Sequence, residues 1–158
     1  MIGLRSIALA YFAVVSSPLS SAVQESHFAI LCEGSSEFTN LDGRPKKSEI
    51  GPQVFVIDSN TRAVFRALKP LQIFDPVCGV QGVPNKANIS PGMITLFSYE
   101  QISEGNYSNC SMLIDRKLGT AEYRLKLDFK SGTSTLTVWK MTCQPTSIPK
   151  FDTSRNKF

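Results

Sequence analysis

The chain has 158 residues, with 17 Lys and Arg, 13 Asp and Glu, one His and a formal net charge of +4. That mild excess is not gathered into a basic face: Lys46-Lys47 and Arg116-Lys117 are isolated pairs, which argues against a nucleic-acid partner. An apolar share of 42% and a length typical of one domain allow a real hydrophobic core.

Residues 1–22 read as a secretory signal peptide. Arg5 supplies a short basic start, residues 7–15 are apolar and uncharged, and Ser20 and Ala22 are small residues before a cut at Val23. A membrane anchor would need about 20 apolar residues. Ser16, Ser17, Pro18, Ser20 and Ser21 break the run too early for that. No later segment is long and apolar enough to span a bilayer as a helix. The domain proper is expected over residues 23–143, with an extended tail over 144–158.

In chain order, short strands are expected at 28–32, 54–58, 63–68, 71–74, 93–99, 111–115, 121–129 and 134–143. The clearest is 121–129. Ala121, Tyr123, Leu125, Leu127 and Phe129 alternate with Glu122, Arg124, Lys126 and Asp128, the period of a strand with one wet face. Lys130-Ser131-Gly132-Thr133 is a turn, and the Thr, Val and Trp of 134–143 suit its partner strand. Asp58 and Asp115 each close an apolar strand, where Asp serves a β-turn by accepting from backbone N–H groups. Many short strands in sequential hairpins imply an all-β fold, a small antiparallel meander that is barrel-like, with a β-sandwich as the alternative.

Two stretches, 33–52 and 75–92, are polar or rich in Pro and Gly and are expected as long loops. Any binding surface is expected there, at Phe38, Asp42, Lys46 and Lys47 in the first and Val80 and Asn85 in the second. The tail after Cys143 is expected to cross the surface loosely, and His27 to sit in a frayed terminus.

Cys32, Cys78, Cys110 and Cys143 are dispersed, without a Cys-x-x-Cys and with only one His. That removes a zinc site and a thioredoxin-like pair. Four such thiols most simply form two disulfides in an oxidising compartment. Of the three connectivities, Cys32–Cys143 with Cys78–Cys110 is favoured. The first links the first and last strands, and the second joins two loop–strand borders.

No catalytic constellation is visible. A nucleophile would need a base, and the one His is badly placed. The stretch from Asp58 lacks the Gly and the final Glu of a calcium loop. No cofactor or metal is expected. Asn88, Asn106 and Asn109 open glycosylation patterns, which matter only where the source modifies them.

An early Cys32-x-Gly34, an Ile114-Asp115…Gly119 hairpin, a late Cys143 and a Lys157-Phe158 ending together give a chain that resembles small exported bacterial β-rich proteins. That resemblance implies export and a disulfide-bonded β fold, and carries no activity. The expected function is an exported, non-enzymatic binding or interaction module, periplasmic or extracellular. Its partner would be a protein, a polymer or a small apolar ligand. The alternatives are an inhibitor or envelope-accessory protein that docks on an enzyme or surface polymer, and a carboxylate-dependent hydrolase.

Overall fold

The computed structural model describes residues 26–41, 43–79 and 83–151. The signal peptide, Asp42, Val80 and the Lys157-Phe158 ending lie outside them. Among the described residues nine strands form one antiparallel sheet: β1 (His27–Thr39), β2 (Pro45–Asp58), β3 (Ala63–Leu68), β4 (Ile73–Pro76), β5 (Asn88–Ile89), β6 (Met93–Ser103), β7 (Asn106–Asp115), β8 (Thr120–Asp128) and β9 (Ser134–Thr146). A 3-10 turn, Lys69–Leu71, precedes β4. Among the described residues no helix is long and apolar enough to cross a membrane.

The sheet order is β4-β3-β2-β1-β9-β8-β7-β6-β5. Two meanders, β1–β4 and β5–β9, therefore meet where the first strand pairs the last. The whole is one curled sheet, a half-barrel, rather than two packed sheets. Both expected disulfides are present. Cys32 and Cys143 are direct partners in the β1–β9 register, with Cα atoms 4.1 Å apart. The chain's ends are thus stapled in the middle of the sheet, and its midpoint supplies both edges. Cys78–Cys110 joins the segment after edge strand β4 to β7, on the opposite wing.

The concave face holds the main core. Phe55 and Ile57 of β2, Val64 of β3, Ile94 and Leu96 of β6, Met112 and Ile114 of β7, Ala121 of β8 and Met141 of β9 pack there. Val77, Cys78 and Ala87, between β4 and β5, join them and fill the trough. The Ala87 N–H donates to the Arg62 carbonyl at 2.6 Å, beside β3, and Asn88 and Ile89 then pair with Thr95 and Ile94 of β6. Residues 87–89 therefore stitch the two wings together at one end of the curl. The β1–β2, β6–β7 and β8–β9 turns lie at the other end.

The run Val54-Phe55-Val56-Ile57 is buried on both faces. Val54 and Val56 point to the convex side, where Ala29 and Ala67 form a second small cluster with Leu31 and Phe151 against it. Phe151 also meets Phe74, ring centroids 4.7 Å apart. Over its described part, to Phe151, the expected loose tail is therefore held to the sheet, because one aromatic ring after Pro149 has an apolar patch to cover. β9 also runs past Cys143, Gln144 pairing Leu31 and Thr146 pairing Ala29, so the boundary expected at 143 falls inside a strand.

The stretch 33–52 is not a loop. β1 runs on to Thr39 and β2 starts at Pro45, and they form a long hairpin arm. Its residues are mostly exposed on both faces, so the chain carries no hydrophobic alternation there to read. A bulge separates the Cys32–Gln53 and Gly34–Ile50 pairs, and the extra residue lies on the β2 side. Pro52 fits there because a bulge asks less of the ladder.

Candidate functional site

At the stitched end, an open cleft of about 1090 Å³ lies between the start of β1, the end of β9 and the turns that close three hairpins. Such a volume is at the upper end for a small-molecule site. Phe28, Ile30, Ile89, Ile114, Pro145 and Ile148 give it an apolar lining, and His27, Arg116 and Gln144 add polar groups.

Two turns of like construction shape its rim. Asp58 accepts from the Asn60 N–H at 2.9 Å, the Thr61 N–H at 3.2 Å and the Thr61 hydroxyl at 2.6 Å. Asp115 accepts from the N–H groups of Lys117 and Leu118, each at 2.9 Å. Each turn ends on a residue in the left-handed region, Arg62 at φ 59° and Gly119 at φ 64°. Both carboxylates are committed to their own turns, as turn chemistry demands of Asp.

His27 is not frayed. It opens β1 opposite Asp58, with its Nε2 3.3 Å from the Asp58 carboxylate and its Nδ1 2.8 Å from the Ser26 hydroxyl. A Ser, a His and an Asp thus lie in a row. A hydrolytic triad uses its carboxylate to orient the imidazole. This one is held first by the backbone and hydroxyl of its own turn, and the row ties that turn to the start of β1.

The Thr61 hydroxyl bond, aided by the Thr61 and Asn60 N–H groups and the nearby imidazole and opposed by burial, holds the Asp58 carboxyl below its ordinary value. A lowered folded-state value means that its stabilisation is present above the ordinary carboxylate range. It is lost as the pH falls through the lowered value. Asp58→Asn is therefore expected to cost about 1 kcal/mol at neutral pH, and to flatten the loss of stability below about pH 4. Urea melts at a series of pH values measure this. Equal acid slopes for the two proteins would remove Asp58 from the account.

The Arg116 guanidinium lies 4.8 Å from the centroid of the Phe28 ring, and the Arg116 backbone N–H donates to the Gly92 carbonyl at 2.9 Å. Among the described residues it has no carboxylate within ion-pair distance. Among the described residues it is the one cation lining the cleft without a carboxylate partner.

Deeper on the concave face, Arg66 of β3 pairs with Asp75 of β4 at 3.2 Å and its guanidinium lies 5.6 Å from the Trp139 ring. Tyr123 meets Trp139 at 5.1 Å, and burial pushes its phenol above the ordinary value. Only a small cavity of about 50 Å³ remains among these groups, so they act as packing.

The expected loop residues are placed elsewhere. Phe38 lies on β1 and pairs Lys46 of β2, near the tip of the arm, with Lys47 3.6 Å from Glu37. Asn85 lies between β4 and β5, its side-chain amide donating to the Cys78 carbonyl at 2.5 Å. The arm residues and Asn85 lie in different parts of the fold and do not form one site. None of them lines the cleft, whereas Cys143 does. His27, Phe28 and Arg116 escape sequence reasoning because each is unremarkable alone. The signal within reach was the pair of matching Asp turns, which marks one end of a sheet.

The chain matches no family model, no curated protein and no solved structure.

Proposed function

We propose that the chain is an exported, non-enzymatic binding module, working in the periplasm or outside the cell, whose turn-end cleft takes a small ligand with an apolar body and an acidic group. The observation that carries this is Arg116. A guanidinium without a carboxylate partner among the described residues stands over Phe28 in a cleft with an otherwise largely apolar lining. Apolar walls supply affinity and a few polar groups fix orientation, the usual division of labour in such sites. Two disulfides, with no free cysteine among the described residues, suit an oxidising compartment. The signal-like residues 1–22 and the likeness to exported bacterial proteins support the same place.

Decanoate and decanol make a matched pair of probes, one charged and one neutral, for calorimetric titration. Decanoate is expected to bind more tightly than decanol. Arg116→Gln should weaken decanoate about tenfold, the effect of one charge-assisted bond, and leave decanol unchanged. Failure of both probes would remove the cleft as an apolar site. Equal binding of the two would remove the acidic group.

A second reading rests on the arm tip. Leu41 is 55% exposed and Phe38 37%, beside Lys46 and Lys47, which suits docking on a partner enzyme or surface polymer as an inhibitor or accessory protein.

A further inference from the structure

The sheet has two strands whose edges run on unpaired, and the chain treats them differently. β3 pairs β2 only from Val54 to Asp58, so among the described residues 45–53 present a free edge. β5 pairs β6 only at Ile94 and Thr95, so among the described strands none pairs with the outer edge of 96–103. A free edge is a template for a further strand, and proteins block it with Pro, Lys, bulges and charge. The first edge carries all of these: Pro45, Lys46, Lys47, Glu49, Pro52 and the bulge opposite Glu33. The second holds no Pro and no Lys, and Glu100 is its one charge. Its only bulge lies at its far end, between Gln101 and Ser103.

The unguarded edge is also apolar on its convex side. Phe97 is 64% and Tyr99 60% exposed, with Leu113 of β7 at 42% beside them and Tyr107 stacked on Tyr99 at 5.5 Å. The chain's own described ends do not reach it. His27 sits against Asp58, and Phe151 covers β4 at the opposite edge of the sheet.

We propose that this edge is a self-association site, at which β6 of one copy pairs antiparallel with β6 of a second. The free run is bounded by β5 at Thr95 and by the bulge after Gln101, and Ser98 lies at its centre. Pairing about Ser98 sets Phe97 opposite Tyr99 of the second copy, twice, on the convex face, and Leu96 opposite Glu100 on the other face. No like charges meet. The arrangement is closed and isologous, since the same patch serves both copies. Pairing β6 with the free edge of β2 would instead set a strand against two prolines and propagate without closing. Four rings with more than half their surface in water bring about 500 Å² to the dyad. The paired main chain raises the total toward about 1,000 Å², the low end of stable interfaces. The expected dimer is therefore weak, in the micromolar to millimolar range.

Sedimentation equilibrium of the oxidised protein from about 1 μM to about 1 mM tests this. A monomer–dimer equilibrium is expected. Phe97→Lys, at an exposed position, should raise the dimer dissociation constant at least about tenfold, since it removes both aromatic pairs. Lys47→Glu, on the guarded edge, should leave it unchanged, and far-ultraviolet circular dichroism should show both variants folded. A monomer throughout would overturn the proposal. So would an equal dimer from Phe97→Lys, or open-ended growth beyond the dimer.

Discussion

Replacing Cys32 and Cys143 together by Ala is expected to cost about 5 kcal/mol of unfolding free energy, and replacing Cys78 and Cys110 about 4, on loop-closure entropy alone. The sequence separations are 111 and 32, and the difference between the two losses is small because closure entropy grows only logarithmically. Either loss is a large part of the whole stability of a domain this size. The two should differ more in where the structure loosens than in how much stability goes. Cys32 and Cys143 are already partners in a ladder that runs from Ala29–Thr146 to Thr39–Leu136, so without the bond the strands still pair. Its loss acts chiefly on the unfolded chain. Cys78 and Cys110 have no ladder between them, and their bond anchors the segment after β4 to the far wing. Without it, Val77 and Ala87 keep the bonds to Val64 and Arg62, and only the short ladder of Asn88 and Ile89 still ties the trough filling to β6. Amide exchange at 77–79 and 83–87 should therefore rise strongly in the Cys78/Cys110 variant and little in the other. Equal exchange in the two would mean that the second bond does not close the curl.

What the sequence made legible follows burial. The residues 121–129 alternate because one face of β8 is packed and the other wet, so their period survives in the text. The disulfide partners were legible as well, since only dispersed thiols in a β frame had to be matched. The arm of β1 and β2 was not, because strands exposed on both faces need no alternation and look like loop. The sheet order was not legible either. Sequential hairpins imply a meander, but nothing local says that His27–Thr39 pairs with Ser134–Thr146, so that the chain's midpoint becomes both edges. For the same reason the cleft was out of reach. Its walls come from residues 27–30, Ser59, 89–91, 114–119 and 143–148, five segments that the sheet order and the bridge at 87–89 bring together.

Gly34→Ala is expected to lose about 3 kcal/mol, a large effect for a single methyl group. Gly34 pairs directly with Met141 across the β1–β9 seam. A Cβ there would collide with the Lys140 carbonyl oxygen and sit 2.9 Å from the Met141 Cα and 3.0 Å from the Lys140 carbonyl carbon. These are backbone atoms of a central strand, so no side chain can swing aside. The strands cannot easily part either, since Cys32–Cys143 locks them at the next pair on the same face. The glycine therefore serves close approach at this point of the seam. Gly51 is the matched control. It lies in the same hairpin, at the bulge, with nothing within 4 Å of a built Cβ. Gly51→Ala should change stability by no more than about 0.5 kcal/mol. Chemical denaturation of the two variants side by side reads the difference. Should Gly34→Ala prove as mild as Gly51→Ala, β1 and β9 do not approach as closely as described. If the loss appears only while the disulfide is oxidised, the lock at Cys32–Cys143 is what turns a crowded methyl into a broken seam.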